Sequence, residues 1–140
     1  MIKPSRIRPS LAALTFLTMA AAMTLANGVP PDLAAYLWGT LPMALGAGLA
    51  QWILFPLFAR RPGRLGLAQD AALFVAVMAL GGMLAGTAVI PGAGTLLGPL
   101  VTLSLPLQSP LAALVYLLGG ALVIRACRRA RSANLLQPAK

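Results

Sequence analysis

The side chains able to do chemistry here are few. Among 140 residues there are two carboxylates, Asp32 and Asp70, one thiol, Cys127, and no histidine. A carboxylate pair working as acid and base must flank one bond. Asp32 and Asp70 are predicted at opposite ends of apolar segments, so they share no substrate. The lack of histidine removes a Ser-His-Asp arrangement, histidine-ligated zinc and bis-histidine haem. No Gly-rich phosphate loop with its lysine follows a strand pattern. Cys127 has no second cysteine to pair with and reads as an idle, reduced thiol. These residues predict a protein that is not an enzyme and holds no cofactor or metal.

The uncharged polar residues offer a different chemistry, that of a path through a membrane. Gln51 is the only amide well inside an apolar run. Thr102, Ser104 and Gln108 lie in a second unusual stretch, IPGAGTLLGPLVTLSLPLQSP, at residues 90–110. Pro91-Gly92, Gly98-Pro99 and Pro106 interrupt a helix there, because proline removes a backbone donor and crowds the preceding turn. Val101, Leu103, Leu105 and Leu107 alternate with Thr102, Ser104, Pro106 and Gln108. A period of two is the pattern of extended backbone. Hydrocarbon leaves extended backbone unpaired, so the stretch is expected either at the external surface or as a re-entrant segment. In the second case Gln51, Thr102, Ser104 and Gln108 form a candidate polar path.

Such a path needs elements to hold it, and composition says which. Fifty-nine per cent of the residues are hydrophobic and 9% charged, against about 25% charged in a soluble domain. The length suits about four spans of roughly 20 residues each. The fold class expected is an all-α integral membrane protein, with four transmembrane helices as two hairpins and the broken segment before the last helix. The spans are expected near 10–26, 33–59, 68–90 and 109–127, in a single membrane domain with basic tails at 1–9 and 128–140. The first run, Ser10–Ala26, reads either as a cleaved signal or as a retained helix; its near-spanning length favours the latter.

All eleven basic residues fall in three clusters: Lys3, Arg6 and Arg8; Arg60, Arg61 and Arg64; and Arg125, Arg128, Arg129, Arg131 and Lys140. In a soluble protein a net charge of +9 would suggest nucleic acid. Confined to segments between apolar runs, it follows the positive-inside rule, placing both termini in the cytoplasm and excluding a nucleic-acid partner. The Ala-, Gly-, Leu- and Arg-rich composition suggests a bacterial inner membrane.

Individual residues carry finer expectations. Asp32 is expected to cap the second span. Pro42 and Pro56, each four residues after a tryptophan, are expected to kink it. Tyr36 and Trp38 suit its external boundary. Asp70 is expected to open the third span at the headgroup level, as an interfacial charge near Arg64 and Arg61. Arg125, Arg128 and Arg129 share one helical face and are expected to meet anionic lipid headgroups. Gly82-x-x-x-Gly86, Gly46-x-x-x-Ala50 and Ala44-x-x-x-Gly48 mark close-packing faces. Packing faces, aromatic anchors and basic ends without redox groups suit a non-catalytic subunit of a larger membrane complex. A minimal homo-oligomeric permease or channel is the alternative. Membrane lipids and either a membrane-protein partner or further copies are the expected partners.

Overall fold

Hydrocarbon gives backbone N–H and C=O groups no partner, so an apolar chain satisfies them within helices. The computed structural model, which describes residues 4–28, 32, 34 and 36–135, follows that rule throughout. The described residues form α1 (Pro4–Asn27), α2 (Leu41–Leu54), α3 (Gly63–Val89), α4 (Ala93–Gln108) and α5 (Pro110–Leu135), with no strand among them. A π turn, Tyr36–Thr40, leads into α2, and a 3-10 turn, Phe55–Leu57, follows it. Four helical stretches are long and apolar enough to cross a membrane: Ile7–Asn27, Leu37–Leu57, Gly63–Val89 and Pro110–Ser132. The chain is thus a multi-pass membrane protein by length and composition.

The boundaries move where local chemistry differs from the expected spans. The basic tail at 1–9 is helical from Pro4, and α3 begins at Gly63 without a break before 68. The second span is one helical stretch, Leu37–Leu57, shorter than the expected 33–59, and its winding changes at the two prolines. A π turn runs up to Thr40 just before Pro42, and Pro56 lies in the 3-10 turn. The last helix runs past 127 to Leu135. Asp32 is exposed, and the helix start it is expected to cap lies outside the described residues.

The largest correction concerns residues 90–110. The expected extended segment is helical over Ala93–Gln108. Its buried residues are Gly94, Gly98, Thr102 and Leu105, spaced as a helical stripe rather than as a strand face. At 16 residues it is about 24 Å long, shorter than a full crossing of roughly 30 Å. Two hydroxyls bond back to the helix between its internal prolines: Thr102 Oγ1 donates to the Pro99 carbonyl at 3.0 Å and Ser104 Oγ to the Val101 carbonyl at 2.9 Å.

The α3–α4 corner turns on Gly92, whose φ of 85° is open to glycine at no steric cost. The Ile90 N–H donates to the Gly86 carbonyl at 2.8 Å, and Gly94 N–H to the Ile90 carbonyl at 2.8 Å. Thr87 and Thr95 join their hydroxyls across the corner at 2.7 Å. Past it, Gly86 lies against Gly94 and Gly82 against Gly98, backbone to backbone. The expected face on Gly82 and Gly86 therefore meets a matching Gly-x-x-x-Gly on α4 that reads, from sequence, as a helix breaker. Gly46 likewise lies against Gly81, and Gly48 against Ala12. Helix α1 packs on α2 and α5, α2 on α3, and α3 on α4, whereas α3 and α5 touch sparingly. Met19, Ala22, Ala47, Met78, Leu105 and Val123 are wholly buried between them.

Candidate functional site

Two arginine clusters and the one buried carboxylate converge where α2 ends. The 3-10 turn closes with the Phe58 N–H on the Phe55 carbonyl at 3.2 Å. Phe58 is then extended and buried, and Ala59 turns the chain with a φ of 55°, in the left-handed region that a side chain disfavours. Asp70 holds this turn. Its Oδ1 accepts the Ala59 N–H at 2.8 Å, and its Oδ2 accepts Nε of Arg128 at 2.6 Å. Arg131 Nη1 donates to the Phe58 carbonyl at 3.1 Å. Three elements are thereby tied: the end of α2, α3 and α5.

Local sequence explains how the pair can form. Asp70 lies in the third turn of α3, not at its start, and is 1% exposed. Gly66, one turn earlier, lies against the Arg61 backbone, and a methyl there would also meet Arg128 Nη2 at 2.9 Å. Glycine leaves the passage through which the guanidinium reaches the carboxylate. A buried carboxylate without a counter-charge is costly, and both Asp70 oxygens are engaged. Nη2 of Arg128 is buried with no hydrogen-bond partner among the described residues. Nearby, Arg8 stacks over the Phe55 ring at 5.4 Å. One described arginine from each basic cluster, Arg8, Arg60 and Arg128, thus lies at this end of the helices.

This arrangement alters two expectations. Asp70 pairs with Arg128 rather than with Arg64, which is exposed in the first turn of α3. Arg128 turns inward to that pair, its side chain 29% exposed, while Arg125 and Arg129 remain on the surface. The reason is the extra length of α5: a helix that continues through Arg131 carries Arg128 to the level of Asp70. Arg131 and Gly66 carry no local signal for these roles.

The candidate polar path does not assemble. Gln51 is wholly buried on α2 and its Nε2 lies 3.8 Å from Sγ of Cys127 on α5. Thr102 is buried against Gly82 of α3. Gln108 Nε2 donates to Ser104 Oγ at 2.9 Å on a more open part of α4. Two residues apart on a helix are about 200° apart, so Thr102 and Ser104 face opposite ways. A period of two aligned them only on an extended chain. Among the described residues no three His, Cys, Asp or Glu side chains come together.

Gln51 supplies a prediction. Its Oε1 is buried without a hydrogen-bond partner among the described residues. Gln51→Met removes that acceptor at similar volume, and is expected to stabilise the protein by about 1 kcal/mol, read as a raised thermal midpoint in detergent. A fall of similar size would mean that the amide has a polar partner in the membrane.

No protein-family model, curated protein or solved structure matches this chain.

Proposed function

We propose that this chain is a non-catalytic component of a larger membrane assembly, seated in a bacterial inner membrane with both termini cytoplasmic. One observation carries the reading. Gln51, Asp70 and Thr102, buried between α2, α3, α4 and α5, each sit at a helix contact rather than along an open route. Side chains enclosed in this way specify which helices pack together rather than line a route for a solute. The presence of Arg8, Arg60 and Arg128 at one end supports the orientation, and the exposed Trp38, Leu45, Leu49 and Trp52 of the second span offer an apolar flank for a neighbouring helix.

Purification from native membranes in mild detergent, with the native mass of the eluate, tests this. A stoichiometric second protein is expected. The homo-oligomeric permease draws on the exposed Ser104–Gln108 pair, which a second copy of the chain would enclose. A clean homo-oligomer without another protein would replace the assembly reading with that one.

A further inference from the structure

Because α3 and α5 touch sparingly, a groove of about 700 Å³ runs between them, within the range of roughly 300–1,000 Å³ typical of small-ligand sites. Leu67, Phe74, Leu117 and Ile124 line it, and Tyr116 meets Phe74 edge-on at 5.6 Å between ring centres. Arg125, Arg128 and Arg129 stand at one end. The lining is thus apolar along its length and cationic at its mouth. Twelve helical residues separate Tyr116 from Arg128, about 18 Å. One leaflet of hydrocarbon is roughly 15 Å deep, half of the whole core.

Two of the three charges at the mouth have no ion-pair partner among the described residues. Asp70 is taken by Arg128, and the other acidic residue of the chain, Asp32, lies before the second span. Arg125 and Arg129 are exposed and form no ion pair among the described residues. Nη2 of Arg128 is buried beside them without an acceptor among the described residues.

We propose that this groove holds an acyl chain of one anionic phospholipid, whose phosphate is bound by Arg125 and Arg129. Groove length, apolar lining and the position of the cations match a lipid standing in the leaflet at the basic end. A phosphate accepts charge-assisted hydrogen bonds from both guanidinium groups, and an anionic lipid is favoured over a zwitterionic one because its headgroup has no cation to offset that phosphate and repel the arginines.

Native mass spectrometry of the full chain, delipidated and returned to phosphatidylglycerol or to phosphatidylcholine of the same acyl composition, tests the site. One phosphatidylglycerol is expected to be retained in preference to phosphatidylcholine. Arg125→Gln with Arg129→Gln, both on the surface, is expected to weaken that retention about 30-fold. Arg8→Gln with Arg60→Gln removes the same charge from two exposed arginines that do not line the groove and should leave retention unchanged. Ala121→Phe fills the groove and should lower retention of either lipid; Leu117→Trp does the same should the first variant fold poorly. Equal retention of the two lipids overturns the proposal. So does equal loss in the Arg8 and Arg60 variant, or indifference to filling the groove. A dimer that excludes added lipid would assign the groove to a second copy instead.

Discussion

Arg128→Ala is expected to lower the stability of the folded protein by about 3 kcal/mol, the lower end for breaking a buried ion pair. The lower end applies because Arg128 is 29% exposed while Asp70 is nearly enclosed. Removing the arginine strands a carboxylate in a site with one remaining donor, the Ala59 N–H. Asp70→Ala is expected to cost about 2 kcal/mol, because the freed arginine can reach the headgroups but the Ala59 N–H is orphaned. Ala59 holds a left-handed φ that only its surroundings maintain, so the turn after α2 should loosen in both variants. The double variant should lose less than the sum, since no charge is then left unpaired. Arg64→Ala, on an exposed arginine, should stay within about 0.5 kcal/mol. Denaturation in mixed micelles with increasing dodecyl sulfate would measure all four. A loss at Arg64 equal to that at Arg128 would refute the pairing.

Gly94→Leu is expected to have a comparable or larger effect, about 3 kcal/mol, at the upper end for overpacking. The atoms that a side chain would strike are the backbone of Gly86, and backbone cannot turn aside as a flexible side chain can. Gly86→Leu should act alike, because the approach is mutual. Together the two should cost less than their sum, since either alone already parts α3 from α4. Gly39→Ala is the control: nothing lies within 4 Å of the position its Cβ would take, and no loss is expected. The same denaturation measures these variants. Full tolerance of Gly94→Leu would mean that α4 does not seat on α3 as described.

The glycines also show where reading along the chain stops short. Gly82 and Gly86 look like a packing face because they sit in an uninterrupted apolar run. Gly94 and Gly98 look like breakers because Pro91, Pro99 and Pro106 surround them. Yet a helix in an apolar setting tolerates internal prolines where a neighbouring helix packs closely on it, as α3 does here through Gly82 and Gly86. The alternation of Val101 to Gln108 is too short to separate period two from a helix whose buried stripe rests on glycine. Gln51 is recognisable as a buried amide from its isolation in an apolar run. Its neighbour Cys127, far along the chain, is not.

The amino-acid sequence by itself determines that this chain is a helical membrane protein with four candidate spans and its cations in three clusters. Hydropathy and charge act over a single segment, and each segment carries its own. Only the tertiary structure decides that Arg128 rather than Arg64 meets Asp70, that Gly94 and Gly98 join two helices, and that Thr102 parts company with Ser104 and Gln108. Each of those outcomes depends on where a helix ends and which face its neighbour covers, and these are set by packing between segments distant in the chain.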